Sequence, residues 1–105
     1  MRFGYFTLTD NPAGYGAQKR DPNRLLLAVM EECVHAAQVG LNSVWLPEHH
    51  FGLFGCMPIP AIFLANLAAR TTRIKLAPAT VLLPCNHPVR VAEEYASLAL
   101  LSGGR

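Results

Sequence analysis

The feature that most constrains this chain is a change of hydrophobic period that occurs three times in the same order. A strand-like run precedes a helix-like run each time, and successive strand starts lie roughly 30–40 residues apart, the size of a βαβ unit. Arg2 to Leu8 alternates in part and carries Phe3, Tyr5 and Phe6, as strands do. Thr9 to Pro22 collects Asp10, Asn11, Pro12, Gly14, Gly16 and Asp21, which predicts a loop longer than a plain connection needs. From Asn23 the residues Leu26, Met30, Cys33 and Ala37 recur at helical spacing. Arg24, Glu31, Glu32, His35 and Gln38 take the other face, with Asp21-Pro22 as the start signal and Gly40 as the stop.

Asn42 to Leu46 reads as a second strand, ended by Pro47 and followed by a loop from Glu48 to Met57. Pro60 opens a second helix that runs to Arg70-Thr71-Thr72 and is apolar on nearly every side. Ile74 to Leu83 is again strand-like, with Pro78 inside it predicting a bulge or a local break in the ladder. Asn86-His87-Pro88 turns into a third helix, with Val91, Ala92, Tyr95, Leu98 and Ala99 inward and a stop at Ser102-Gly103-Gly104. This order predicts an α/β fold with a parallel sheet, in one segment spanning 1–105. Two architectures satisfy it, a barrel segment and a doubly wound sheet. No Gly-x-Gly-x-x-Gly follows the first strand and no Gly-x-x-x-x-Gly-Lys occurs, so the common nucleotide loops are excluded. Three parallel strands buried on both faces leave an apolar edge unpaired, so the expectation is a truncated chain or one completed by another copy.

Composition narrows the function classes. With 51% hydrophobic and 15% charged residues the chain is no disordered tail, and its net charge of +2 lacks the clustered basic face that nucleic acid requires. No run approaches the ~20 apolar residues of a membrane span, and the first residues lack a signal core. Three cysteines without a Cys-x-x-Cys spacing read as reduced thiols, which places the chain in a cytoplasm.

The polar residues that stand out are Glu48-His49-His50, just past the C-terminal end of the second strand, where ligand sites gather in parallel α/β folds. One reading is an acid/base or hydrogen-bonding histidine at a pocket mouth. The other is a solvated loop whose histidines bond to backbone, and position alone leaves both open. Glu48, His49, His50 and His87 are also admissible metal ligands, but successive side chains at a strand end diverge, and no metal is expected. The small residues of Leu76-Ala77-Pro78-Ala79-Thr80 either let a flat ring approach the backbone or merely fit a tapering interior.

Four blocks carry a resemblance. Met1-Arg2-Phe3-Gly4-Tyr5-Phe6, Val44-Trp45-Leu46-Pro47-Glu48-His49-His50-Phe51, Val81-Leu82-Leu83-Pro84 with His87-Pro88-Val89-Arg90, and Leu101-Ser102-Gly103-Gly104-Arg105 occur in that order. Together they resemble the N-terminal third of bacterial luciferase-like flavin monooxygenases. The resemblance implies the first three βα units of a TIM-type (β/α)8 barrel. It implies reduced FMN, supplied by a flavin reductase, and O2, acting on a small organic substrate such as an aldehyde, ketone or amine. By the same resemblance His49 is the catalytic acid/base beside the flavin, with Glu48 and His50 orienting it or bonding nearby. Ala79-Thr80 matches a non-proline cis peptide against the isoalloxazine, and Phe6 an aromatic near the pocket floor. The family's phosphate contacts lie beyond Arg105, so the chain alone is expected to hold FMN weakly or not at all. A deazaflavin in place of FMN, a non-catalytic flavin-binding relative and an inactive fragment are the rival readings. The apolar second helix suggests a homo-oligomer contact, or else an interior helix covered by the rest of a barrel.

Overall fold

The computed structural model describes residues 1–52 and 54–105; Leu53, within the expected loop from Glu48 to Met57, lies outside them. Three strands, β1 (Gly4–Phe6), β2 (Ser43–Leu46) and β3 (Lys75–Pro78), alternate with three helices, α1 (Pro22–Gln38), α2 (Pro60–Arg70) and α3 (Pro88–Leu101). The strands are parallel and lie in the order β1-β2-β3. Each new strand therefore joins on the same side of the one before. With right-handed crossovers this winding keeps every helix on one face of the sheet, as in a barrel, whereas a doubly wound sheet reverses direction and covers both faces.

Burial follows that winding. Val44 and Leu46 of β2 are fully buried, and they pack with Leu25, Val29, Met30, Cys33 and Ala36 of α1 and Phe63, Leu64 and Leu67 of α2. On the opposite face Phe6 and Trp45 pair across β1 and β2, and Trp45 pairs with Ala77 of β3. That row is open to solvent, with Phe6 55% and Trp45 44% exposed. The expected burial of both faces is thus found on one face only, because every helix packs on the same side.

Local signals explain the helix ends. Asp21 caps α1 by accepting a hydrogen bond from the Arg24 N–H at 3.0 Å, and Pro stands at the first helical position of all three helices. The burial stripe of α1 differs from the expected one. Leu25, Val29 and Ala36 are buried beside Met30 and Cys33, while Leu26 and Ala37 are half-buried at its margin, since the helix leans toward both β2 and α2. In α3 only Leu98 is buried and Val91 and Tyr95 are half-buried; Ala92 and Ala99, expected inward, are exposed because α3 packs chiefly on α2.

All three strands are shorter than expected, β2 by Asn42 alone. β1 begins at Gly4 because the Phe3 N–H is taken by the Asn42 side chain at 3.2 Å. Beyond Phe6 the chain leaves the ladder and Thr9 adopts a φ of 51°. β3 ends at Pro78, which still pairs with Leu46, so the proline closes the ladder without a bulge. Residues 79–82 of the expected strand are irregular and lead into a short 3-10 turn, Leu83–Cys85, and another, Ala13–Gln18, lies within the long loop after β1.

Candidate functional site

The C-terminal ends of the three strands lie side by side, and the polar residues singled out in the sequence stand on the loops that leave them. β2 runs into Pro47, then Glu48, a carboxylate only 6% exposed. A buried charge persists only with donors around it. Glu48 has three: the Leu82 N–H donates to Oε2 at 3.0 Å, while the Asn86 amide and His50 Nε2 each contact Oε1 at 2.8 Å. Burial pushes the Glu48 pKa up, but the bonds from His50, Leu82 and Asn86 outweigh it and hold the carboxyl below its ordinary range. Glu48 is therefore ionised at neutral pH.

Glu48 and His50 also line a cavity of about 170 Å³ with Val81, Asn86, Glu94 and Tyr95. Burial first, and then the charges of Glu48 and Glu94, push the Tyr95 hydroxyl up to about 12. It therefore stays protonated there. This cavity lies between the strand-end loops and α3 and does not include His49, Ala79, Thr80 or Phe6.

His49 sits apart from that network. Its N–H donates to the Met57 carbonyl at 2.8 Å, and its ring stands edge-on to Phe54 with centroids 6.4 Å apart. Its Nδ1 is buried and has no hydrogen-bond partner among the described residues. Glu48 thus pairs with His50 rather than with His49. The reason is local: in extended chain, residues two apart point the same way and adjacent ones diverge.

The floor under His49 is made by residues that the sequence reading passed over. The Asn11 N–H donates to the Phe54 carbonyl at 2.8 Å, and Asp10 bridges Gly55 in antiparallel fashion, so the loops after β1 and β2 are zipped together. Asn11 is buried and clasps the Arg20 backbone through both ends of its amide, at 2.8 and 2.9 Å, closing the long loop. The signal for Asn11 and Gly55 was present only as residue types that tolerate tight loops, without a partner in view.

The remaining expected residues gather at the same strand ends. The Ala79–Thr80 peptide is cis, as the resemblance implied, and the Ala79 N–H donates to the Leu46 carbonyl at 2.5 Å. Phe6 is the last residue of β1 and stands in the open row with Trp45 and Ala77. Together they make a wall of two aromatics and small residues. The loops after β2 and β3 contain no lysine or arginine, while the loop after β1 carries Lys19 and Arg20. Among the described residues no three His, Cys, Asp or Glu side chains converge as metal ligands.

The whole chain, residues 1–105, matches the family model described as luciferase-like monooxygenase. It is 37% identical over 107 residues to the alkanal monooxygenase alpha chain of Photorhabdus laumondii subsp. laumondii, a match covering 100% of this chain and 28% of that protein. It superposes on the oxygenating constituent of 3,6-diketocamphane monooxygenase from the CAM plasmid of Pseudomonas putida, a type II Baeyer-Villiger monooxygenase in complex with FMN. The TM-score there is 0.84 at 27% identity, over 99% of this chain and 27% of that one. A further likeness, with TM-score 0.64 and 25% identity over 99% of this chain and 25% of that one, is to the coenzyme F420-dependent tetrahydromethanopterin reductase of Methanopyrus kandleri. The chain spans 29% and 28% of the lengths of the first two curated relatives it matches. Same-direction winding, a bare inner face with an aromatic row, a cis peptide at the end of β3 and a family match from end to end agree: the chain belongs to the luciferase-like monooxygenase family and supplies the first three βα units of its barrel.

Proposed function

We propose that the protein containing this chain is a flavin-dependent monooxygenase that uses reduced FMN and O2 to oxidise a small organic substrate of the aldehyde, ketone or amine class. The observation that carries the reading is the wall at the strand ends, where Phe6, Trp45 and Ala77 form an open apolar row. When bound, reduced FMN would supply the electrons and the site of O2 activation. This chain's residues would hold the ring: Phe6 and the Ala79–Thr80 backbone against its plane, with Glu48 and His50 at the rim. Basic residues on later strand ends would hold the phosphate. His49 would move a proton near the reacting centre, its ring seated by Gly55 and Phe54. A flavin reductase serves as the source of FMNH2, consistent with the relative that is itself an oxygenating constituent. A cytoplasmic homo-oligomer is the expected setting, and no described helix is long and apolar enough to cross a membrane.

The likeness to an F420-dependent enzyme favours one second reading, a deazaflavin in place of FMN. The test is oxidation of an aldehyde, ketone and amine panel by the complete protein, with reduced FMN or reduced deazaflavin. His49→Ala is expected to lose substrate oxidation roughly 10²–10⁴-fold while keeping flavin binding. Unchanged turnover in that variant would remove His49 from the mechanism, and no flavin-dependent oxidation of any substrate would overturn the function.

A further inference from the structure

We infer that Glu48 is a positioning residue with two tasks: it straps the segment after the Ala79–Thr80 peptide to the end of β2, and it fixes His50 with its hydrogen on Nε2, leaving Nδ1 as the proton acceptor. The strap is made by the Leu82 N–H on Oε2 and the Asn86 amide on Oε1, across 34 and 38 residues of sequence. The same Asn86 amide donates to the Leu82 carbonyl at 3.0 Å, so the 82–86 turn closes on itself while it is held. Among the described residues of β2 and its loop, Glu48 is the acceptor of both donors.

The second task follows from what an ionised carboxylate can do. It only accepts, so the hydrogen in the 2.8 Å contact between Glu48 Oε1 and His50 Nε2 resides on the histidine. A neutral His50 held this way is the Nε2–H tautomer, and its other nitrogen carries the lone pair. An exposed pair would enforce this weakly, but the Glu48 side chain is 4% exposed and the His50 side chain 30%. The other titratable groups around the same cavity leave this assignment intact: Tyr95 stays protonated, and Glu94 is a second carboxylate. The consequence for oxidation rests on the function proposed above. The arrangement itself does not, and it is tested without flavin.

The test uses the complete protein containing this chain, ¹⁵N-labelled, at pH 8, where an ordinary histidine is neutral. Two-bond ¹H–¹⁵N spectra read the His50 tautomer, and amide exchange reads Leu82. The wild-type chain is expected to show the Nε2–H pattern at His50 and a protected Leu82 amide. In Glu48→Gln, which places a donor where the carboxylate accepted, Leu82 exchange is expected to rise roughly 10- to 100-fold with the β2 amides still protected. The His50 tautomers then mix. An Nδ1–H pattern in the wild-type chain, or unchanged Leu82 exchange in a folded Glu48→Gln variant, overturns the inference. Should the variant lose β2 protection as well, the wild-type spectrum decides. Flavin binding by the complete protein is measured separately, and its absence would overturn the function while leaving Glu48 its role.

Discussion

At Gly55 an added Cβ would stand 2.5 Å from His49 Nδ1 and 2.8 and 2.9 Å from the carbonyl oxygens of Leu8 and Thr9. Two of these neighbours are backbone and cannot swing away. Gly55→Ala is therefore expected to destabilise the chain by about 1–3 kcal/mol, the usual cost of overpacking, seen as a lower urea midpoint at unchanged slope. An unaltered midpoint would mean that the zipped loops yield freely. Other single residues are explained by their surroundings. The Cys33 thiol is pushed up to about 12 by burial and then by the Glu32 charge, so it is a packing residue and no nucleophile. Tyr5 donates its hydroxyl to Glu32, and burial, that bond and the Glu32 charge raise its pKa further still. At this scale the sequence singles out Glu48, His49 and His50 by their place after β2. Their division into a buried strap with its partner and a separate, seated ring was not legible there, because Leu82, Asn86 and Gly55 meet them only after folding.

Among the elements, the closing block shows how a stop signal can hold two helices together. Gly103 and Gly104 turn the chain with φ of 68° and 79°, which ends α3 and brings Arg105 back over the end of α2. Its guanidinium donates to the Ser102 carbonyl at 2.8 Å, the Thr71 hydroxyl at 3.1 Å and the Ala68 carbonyl at 2.9 Å. The Arg105 carbonyl accepts from the Leu76 N–H at 2.9 Å, so the same residue also continues the sheet edge. Arg105→Ala is expected to cost about 1.5–3 kcal/mol, measured by chemical denaturation. Arg105→Lys should recover little, since one ammonium cannot reproduce a fork of donors. Equal stability of the Ala variant and the wild-type chain would show that water replaces the fork without penalty. The sequence announces the turn through its glycines, but two of the groups that receive the arginine, the Thr71 hydroxyl and the Ala68 carbonyl, lie more than thirty residues away.

For the whole molecule, the consequence of one-sided packing is a sheet whose inner face is bare. Phe6 and Trp45 are about half exposed in a row that would be interior in a closed barrel. The isolated 105-residue chain is expected to self-associate, giving sedimentation that depends on concentration. Trp45, the one tryptophan, should shift its emission to the blue as the face is covered. A monomer at every concentration with unshifted emission would contradict the exposure of that face. What the sequence determined by itself was the alternation of strand and helix, the helix starts at proline, the parallel sheet and the family. Each of these follows from local periodicity, capping and short blocks read along the chain. Periodicity alone left a barrel and a doubly wound sheet open, the resemblance implied the barrel, and the strand order bears it out; only the tertiary structure decided that the Glu48 carboxylate is spent on Leu82, Asn86 and His50. That outcome depends on groups some 30–40 residues apart arriving at the same place, which no local pattern records.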